Sequence, residues 1–455
     1  MSLKKISEYL FLGFLFLLPF QTVFLLREPF IDGEKWQYGA IAIYGTDILF
    51  LCFVIFSVIA YWKKNLDLRF MIDEWGLFRW LSVLKFKIIH HKSSVLLIAL
   101  IVWSGLSLFW ANDQMLAVYF FVKLLLGAGL FFVVRSLDVS LFKKVIFVLL
   151  LAGVVQSIIG IGQFVYQYSP ESSLLGMSAH EASQAGSSVL KLDSGRFLRA
   201  YGTFPHPNML GGFLGAVLML GSMHYVSGIR YEKSWKCLRE IVCTLSGLLL
   251  ISLGLILTFS RTASLGVVFG MVAIGWYAFR QEDSWIQGRF LKIFLALGLA
   301  SLVFGSVLYE QISPRFDMVT IEREGSVSER VLSLQDARAL IAEQLIIGVG
   351  AGNFTAEIMQ LQPERPVWNI QPVHNVFMLV WSELGLVGLL LFVGYLVFSL
   401  LPILKSKILH HNSAIFIALL TLVPSFFLDH WLYTSHFGPL FLFLLLGLAT
   451  RQQRL

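Results

Sequence analysis

Three arginines and a histidine of one chain sit at positions where a side chain can meet an anion or a hydroxyl. Arg199 opens the segment Arg199-Ala-Tyr-Gly202-Thr-Phe-Pro205-His206-Pro207-Asn208, which runs straight into an apolar stretch. Pro207 suits the first turn of a helix, so Asn208, the helix N-terminus, Arg199 and Arg196 together form a place that attracts an anion. Arginines reaching for lipid head groups would explain the same residues. Arg261 lies in Thr258-Phe-Ser260-Arg261-Thr-Ala-Ser264, with about twenty apolar residues on either side. The chain must reverse there almost without a loop, which fixes the guanidinium at a membrane boundary, where it needs an anionic partner. Lipid phosphate is one such partner and a substrate is another. Arg330 follows Ser326-Val-Ser-Glu329, and His374, with Asn375 after it, ends a polar stretch and heads another apolar one. A lone histidine at a helix start often serves only as a hydrogen bonder.

The elements that must position these residues follow from composition. Of 455 residues, 57% are hydrophobic and 14% charged, and the mean hydropathy is +0.76, so the chain is an all-α integral membrane protein. Twelve apolar runs are long enough to cross a hydrocarbon layer: 7–26, 39–62, 93–110, 115–135, 144–167, 207–227, 239–259, 262–279, 291–309, 374–400, 412–429 and 432–450. With both termini in the cytoplasm, 23 lysines and arginines fall inside, many of them in the basic loop 63–92, and 11 fall outside. This positive-inside bias accounts for the net charge of +7 without nucleic-acid binding. It places loops 168–206 and 310–373 on the outer face of the plasma membrane, the second between spans nine and ten. We read residues 1–455 as a single polytopic domain.

The second loop is mildly acidic, with nine carboxylates against five arginines. Its first half reads as an amphipathic helix capped by Ser326 and Glu329, with Leu332, Ala337, Leu340, Ile341 and Leu345 on one face. Gly348-Val-Gly350-Ala-Gly352-Asn-Phe354 then stops it; the run superficially resembles a phosphate-cradling loop, but it follows a helix and is read as a turn. Residues 168–195, rich in Ser, Ala and Gly, read as a mobile loop. Residues 69–89 suit either a helix on the inner leaflet or an ordinary basic loop. Lys123, inside the fourth span, should pair within the bundle, and Glu383, in the tenth, should face the interior. Asp429 and His430 close the eleventh span at the outer face, where they either join the same cluster or serve as local hydrogen-bonding groups. The three cysteines, Cys52, Cys237 and Cys243, fall in or at the ends of spans and imply no disulfide framework. The first apolar run lacks a cleavage site after it and reads as a retained span.

Taken together, Arg199 to Asn208, Thr258-Phe-Ser-Arg261, Ser328-Glu-Arg330, Gly348 to Phe354, His374-Asn375 and Glu383-Leu-Gly-Leu-Val-Gly388 resemble the O-antigen ligase and polymerase family in order and spacing, over roughly residues 195–390. The resemblance implies a glycosyltransferase that moves a glycan from a polyprenyl-diphosphate donor to an acceptor at the outer face. It implies that Arg261 and Arg330 engage the diphosphate and His374 activates the acceptor hydroxyl, with Arg199, Asn208 and Asn375 on the substrate. The residue chemistry agrees: guanidinium forks stabilise a diphosphate leaving group, and a neutral imidazole takes a hydroxyl proton. Neither a cofactor nor a metal is expected, and direct attack would invert the anomeric centre. Ligases, polymerases and protein-glycosylating enzymes share these motifs, so the acceptor stays open among glycolipid, glycan and protein. A peptidoglycan-type polymerase is a second reading, although its pattern centres on an outer-loop aspartate. A lipid-linked glycan flippase or secondary transporter, from another class, would need polar residues lining a continuous path, and only Lys123 and Glu383 offer one.

Overall fold

The computed structural model describes residues 2–31, 33–65, 91–137, 139–228, 235–313, 325–405 and 413–451. The stretch 69–89 lies outside them, as does the side chain of Ser326, and with it the proposed cap. The protein is mostly helical, and its strands form only two-stranded antiparallel ribbons. Among the described residues seven helices are long and apolar enough to cross a membrane. These are Lys92–Phe109, Gln114–Arg135, Ser140–Tyr166, Pro207–Val226, Arg261–Arg280, Ser284–Val307 and Val376–Leu401. Four shorter apolar helices accompany them: Gly45–Ala60, Val242–Ile256, Ser413–Leu428 and Phe437–Ala449.

The N-terminal segments depart from expectation. Helix α1 (Leu3–Leu17) ends before Pro19, and the apolar residues after it form strand β1 (Val23–Arg27), paired with β2 (Ile41–Tyr44) ahead of α2 (Gly45–Asn65). Proline cannot continue the hydrogen-bond ladder, so an apolar run read as one span is a helix followed by a strand. Between the strands, a short 3-10 turn (Gln37–Gly39) carries Trp36 and Tyr38. Helices α3 (Lys92–Leu106), α4 (Gln114–Arg135) and α5 (Val139–Tyr166) follow. In α4, Lys123 Nζ donates to Asp47 Oδ2 at 2.6 Å and lies 3.0 Å from His436 Nδ1, so it is paired within the bundle.

The loop after α5 is ordered, contrary to the mobile reading. Tyr168–Ser169 pairs with His180–Glu181, and β3 (Val189–Leu192) with β4 (Gly195–Leu198). Two buried glutamines of α5, seven residues apart, grip what comes next. Gln163 Oε1 accepts from the N–H groups of Tyr201 (3.0 Å) and Gly202 (2.8 Å), and its amide donates to Gly202 O (2.7 Å). Gln156 Oε1 accepts from Thr203 N at 2.9 Å and Nε2 donates to Thr203 Oγ1 at 2.8 Å. Small polar residues therefore do not mean freedom here: side-chain amides replace the missing backbone partners.

Helix α6 (Pro207–Val226) is the centre of the bundle, with 94% of its most apolar window buried. It packs against α7 (Trp235–Ile256), α8 (Arg261–Arg280) and, from the far end of the chain, α13 (Ser413–Leu428). The close approach uses glycine: a Cβ on Gly211 would lie 3.0 Å from Ala263, Ser260 and Thr258, and one on Gly212 would overlap Trp431. Helices α9 (Ser284–Val307), α10 (Gly325–Glu343), α11 (Phe354–Leu361), α12 (Val376–Lys405) and α14 (Phe437–Ala449) complete the set used below.

Helix α12 is broken. Gly385 has φ 67° and ψ −172°, and the backbone groups released there are taken up by the turn 345–353. Val349 N donates to Ser382 O (2.9 Å), Gly350 N to Glu383 O (2.8 Å), and Leu386 N to Leu345 O (2.9 Å). Buried Glu383 completes the clasp, its Oε2 accepting from Gly352 N at 2.7 Å and from the Tyr433 hydroxyl at 3.0 Å. Gly348 and Gly352 both sit at φ 69°, and a Cβ on either would overlap Glu383 or Phe120. The glycine run is thus the turn it was read as, and α12 takes up the amides of Val349, Gly350 and Gly352.

Candidate active site

The heads of α6, α8 and α12 and the tail of α13 converge. Arg199, 6% exposed, is spent on protein: Nε donates to Thr258 O (2.7 Å), Nη1 to Ser188 Oγ (2.8 Å) and Nη2 to Asn208 Oδ1 (2.8 Å). Asn208 passes the connection on, its Nδ2 donating to Asp429 Oδ2 at 3.0 Å. Asp429 Oδ1 accepts from His430 N at 2.8 Å. The His430 ring meets His374 edge-to-face with centroids 4.9 Å apart, and Tyr38 edge-to-face at 5.9 Å. Thus residues 199, 208, 429, 430 and 374 form one chain of contacts across four segments.

His374 and Arg330 hold the reactive potential of this cluster. His374 Nδ1 and Arg330 Nε are both buried and find no hydrogen-bond partner among the described residues. Such atoms cost free energy unless something met in function satisfies them. Burial pushes the His374 pKa well below its ordinary 6.5, the neighbouring His430, Arg330 and His206 add to the shift, and Asp429 opposes it. The imidazole is neutral at pH 7 and can accept a proton. Burial of Asp429 works against its charge, yet His430, His374, His206 and the Asn208 amide hold its pKa below 3.8. One anion is therefore set among three histidines and Arg330.

His206 caps α6, its Nδ1 accepting from Asn208 N at 3.1 Å. Its pKa is lowered, chiefly by the protein packed around it, with Arg199 adding to the shift. Asn375 Oδ1 accepts from Met378 N at 3.0 Å and so caps α12, while Nδ2 reaches Phe427 O at 3.4 Å. Arg261 enters as the first residue of α8, after Phe259 at φ 47° and the Ser260 cap. That reversal packs on Gly211, one turn inside α6 from Asn208, so Arg261 belongs to the same end of the bundle.

The polar segment is anchored independently. Arg365 donates to Asp336 through both Nη atoms (2.6 and 2.9 Å), and Leu340, Phe354, Ile358, Val373 and Leu379 share one apolar cluster. This fixes α10, and so Arg330, against the head of α12, where His374 sits. Sequence reasoning missed Tyr38, Gln156 and Gln163, and left Asp429 and His430 open between this cluster and a local role. Two glutamines in an otherwise apolar helix were the available signal, since buried amides must find partners. Tyr38 gave none, because only the fold brings residue 38 to residue 430.

Residues 246–393 match the family described as O-antigen ligase. They contain Arg261, Arg330, His374, Asn375 and Glu383; Arg199, His206, Asn208, Asp429 and His430 lie outside. No curated protein matches the chain. From the reversal that carries Arg261 to the clasped helix behind His374, this part of a multi-pass helical protein is similar to the O-antigen ligase family.

Proposed function

We propose that the protein transfers a glycan from a polyprenyl-diphosphate donor to an acceptor hydroxyl at the outer face of the plasma membrane. The chain crosses twelve times, with both termini cytoplasmic. The observation that carries this reading is the pair His374 Nδ1 and Arg330 Nε, both buried and both without a partner among the described residues, at one end of the bundle. A neutral imidazole beside a guanidinium is what attack of a hydroxyl on a glycosyl diphosphate requires.

In this scheme His374 removes the acceptor proton as the oxygen attacks the anomeric carbon. The bond from that carbon to the diphosphate oxygen breaks, and the electron pair leaves with the diphosphate, whose growing charge Arg330 and Arg261 stabilise by forked hydrogen bonds. A single displacement inverts the configuration. Asp429 steadies the His374 imidazolium formed in the step. Arg199 and Asn208 reach the substrate through Asp429, whose carboxylate they orient, and Asn375 through the helix head it caps.

The test uses purified protein in detergent with EDTA, a labelled synthetic polyprenyl-diphosphate glycan, and glycolipid, glycan and protein acceptors in parallel. Transfer by wild type, lost in His374→Ala, is expected, and the labelled product identifies the acceptor. Transfer with retained configuration, or undiminished transfer by the variant, overturns the scheme.

A further inference from the structure

The reversal that carries Asp429 and His430 is tied into one piece. Between α13 and α14, the N–H groups of Tyr433 and Thr434 donate to His430 O (2.9 and 3.1 Å), and Ser435 Oγ donates to Trp431 O (2.7 Å) while accepting from Gly438 N (2.8 Å). The His430 side chain is held as well, its Nδ1 lying 2.7 Å from Thr434 Oγ1. His430 stands at one end of this piece and His436, the residue before α14, at the other. The segment 38–47 meets both ends. Tyr38 meets His430, and six residues further along each segment Tyr44 stacks flat on His436, with centroids 3.7 Å apart and an interplanar angle of 2°.

The second contact is held by a charge. Lys123 of α4 donates from Nζ to Asp47 Oδ2 at 2.6 Å and lies 3.0 Å from His436 Nδ1, while His436 Nε2 lies 2.8 Å from Thr46 Oγ1. An ammonium has donors and no acceptor, so Nδ1 must accept from Lys123 and the ring proton must sit on Nε2, which gives it to Thr46. His436 is therefore neutral and of one tautomer, with a side chain that has no exposure. The same ammonium lies over the rings of Tyr44 (4.7 Å) and Tyr119 (5.3 Å), so it fastens the stacked tyrosine too. Asp47 Oδ2 also accepts from Tyr44 N at 3.1 Å. One cation of α4 thus joins the head of α2, the end of β2 and the head of α14.

We propose that Lys123 is a positioning residue for the site: by fixing His436 against the segment 38–47 it sets the reversal 430–436, and with it His430, against His374. Lys123 acts through His436 and touches no substrate. Asp47, Lys123 and His436 all lie outside the matched residues 246–393. That the positioned histidines act in glycan transfer rests on the reading above.

Nitrogen NMR of the histidine rings tests this without turnover. Full-length protein carrying isotope-labelled histidine is placed in nanodiscs, and the signals lost in His436→Phe, His430→Phe and His374→Ala assign the three rings. His436 should carry its proton on Nε2. Lys123→Met/Asp47→Leu removes both charges together and should melt near wild type. In it the His436 signals should become a mixture of tautomers and those of His430 and His374 should shift. Its kcat for transfer should fall by about tenfold or more with donor affinity unchanged, because displaced groups lose rate before they lose binding. Thr46→Val keeps the charge pair and should also lower kcat, whereas Thr46→Ser, which keeps the acceptor for Nε2–H, should not. A wild-type proton on Nδ1, or a double variant whose His430 and His374 signals and kcat match wild type, overturns the proposal. So does a donor affinity that falls as far as kcat. If the double variant melts well below wild type, Thr46→Val decides, and wild-type kcat in it overturns the proposal. Shifted His430 and His374 signals in the variants of a protein that transfers nothing would keep the positioning role and remove the glycan-transfer reading instead.

Discussion

Replacing Arg330 with methionine separates its role on substrate from any role in the fold. Its Nε is buried without a partner among the described residues, so removing it deletes an unsatisfied donor and should leave the melting temperature unchanged or slightly raised. Asp336→Ala is the contrast. It strands Arg365, whose side chain is 11% exposed and whose two bonds to Asp336 measure 2.6 and 2.9 Å. Breaking one side of such a pair costs about 3–5 kcal/mol. On the donor, Arg330→Met removes a charge-assisted contact worth about 1.5–3 kcal/mol, or about 10- to 150-fold in kcat/KM. A second consequence has a definite sign. The Arg330 charge helps to hold the His374 pKa below 6.5, so its removal raises that pKa. A base acts only when unprotonated, so the acid limb of the rate profile must move to higher pH. The assay is transfer from labelled donor between pH 4 and 8 for wild type and variant, with melting curves at each pH. An acid limb that stays in place or moves down refutes the electrostatic coupling, and loss of melting temperature refutes the view that Arg330 is free of structural duty.

Other expectations follow from the same geometry. Wild-type transfer should stay level as pH falls through 6.5 and decline only well below it, because the lowered His374 pKa keeps the imidazole neutral; a midpoint at or above 6.5 in the kcat/KM profile contradicts the buried placement. Asp429→Asn keeps shape but sets an amide N–H₂ against either Asn208 Nδ2 or His430 N, so one of two bonds is lost and transfer should fall by about tenfold or more; an unchanged rate removes Asp429 from the mechanism. Lys123→Met strands the Asp47 carboxylate and should cost about 3–5 kcal/mol of stability, recovered by adding Asp47→Leu, as denaturation in detergent would report. Gly385→Ala places a Cβ against Ile346 O at φ 67° and should lower stability by at least about 2 kcal/mol; wild-type melting would show that the break in α12 is dispensable.

Much of this organisation was legible because hydropathy and charge act through single segments. The helical spans, the turn at Gly348–Gly352, the tight reversal before Arg261 and the helix that carries Arg330 all follow from local residue types. What was hidden depends on partners distant in sequence. Residues 168–195 carry turn formers that suit disorder, yet they pair in short strands, and Gln156 and Gln163 supply hydrogen bonds to the segment that follows them. Apolar residues 23–26 read as the end of a span, but pairing with 41–44 makes them a strand. His374 stood out by position alone. Asp429 and His430 were candidates only through their place at a span end, and Tyr38 gave no signal, since a contact between residues 38 and 430 leaves no local pattern. Tyr38 and His374 both meet His430.

The most direct test of the central claim is a single turnover. A labelled polyprenyl-diphosphate glycan is bound to excess protein, its affinity is measured, and acceptor is then added. His374→Ala should bind donor as wild type does and yield no product, whereas Arg330→Met should bind it more weakly. Product formation by His374→Ala at the wild-type rate, or wild-type donor affinity in Arg330→Met, would contradict the assignment of base and diphosphate ligand to these two residues.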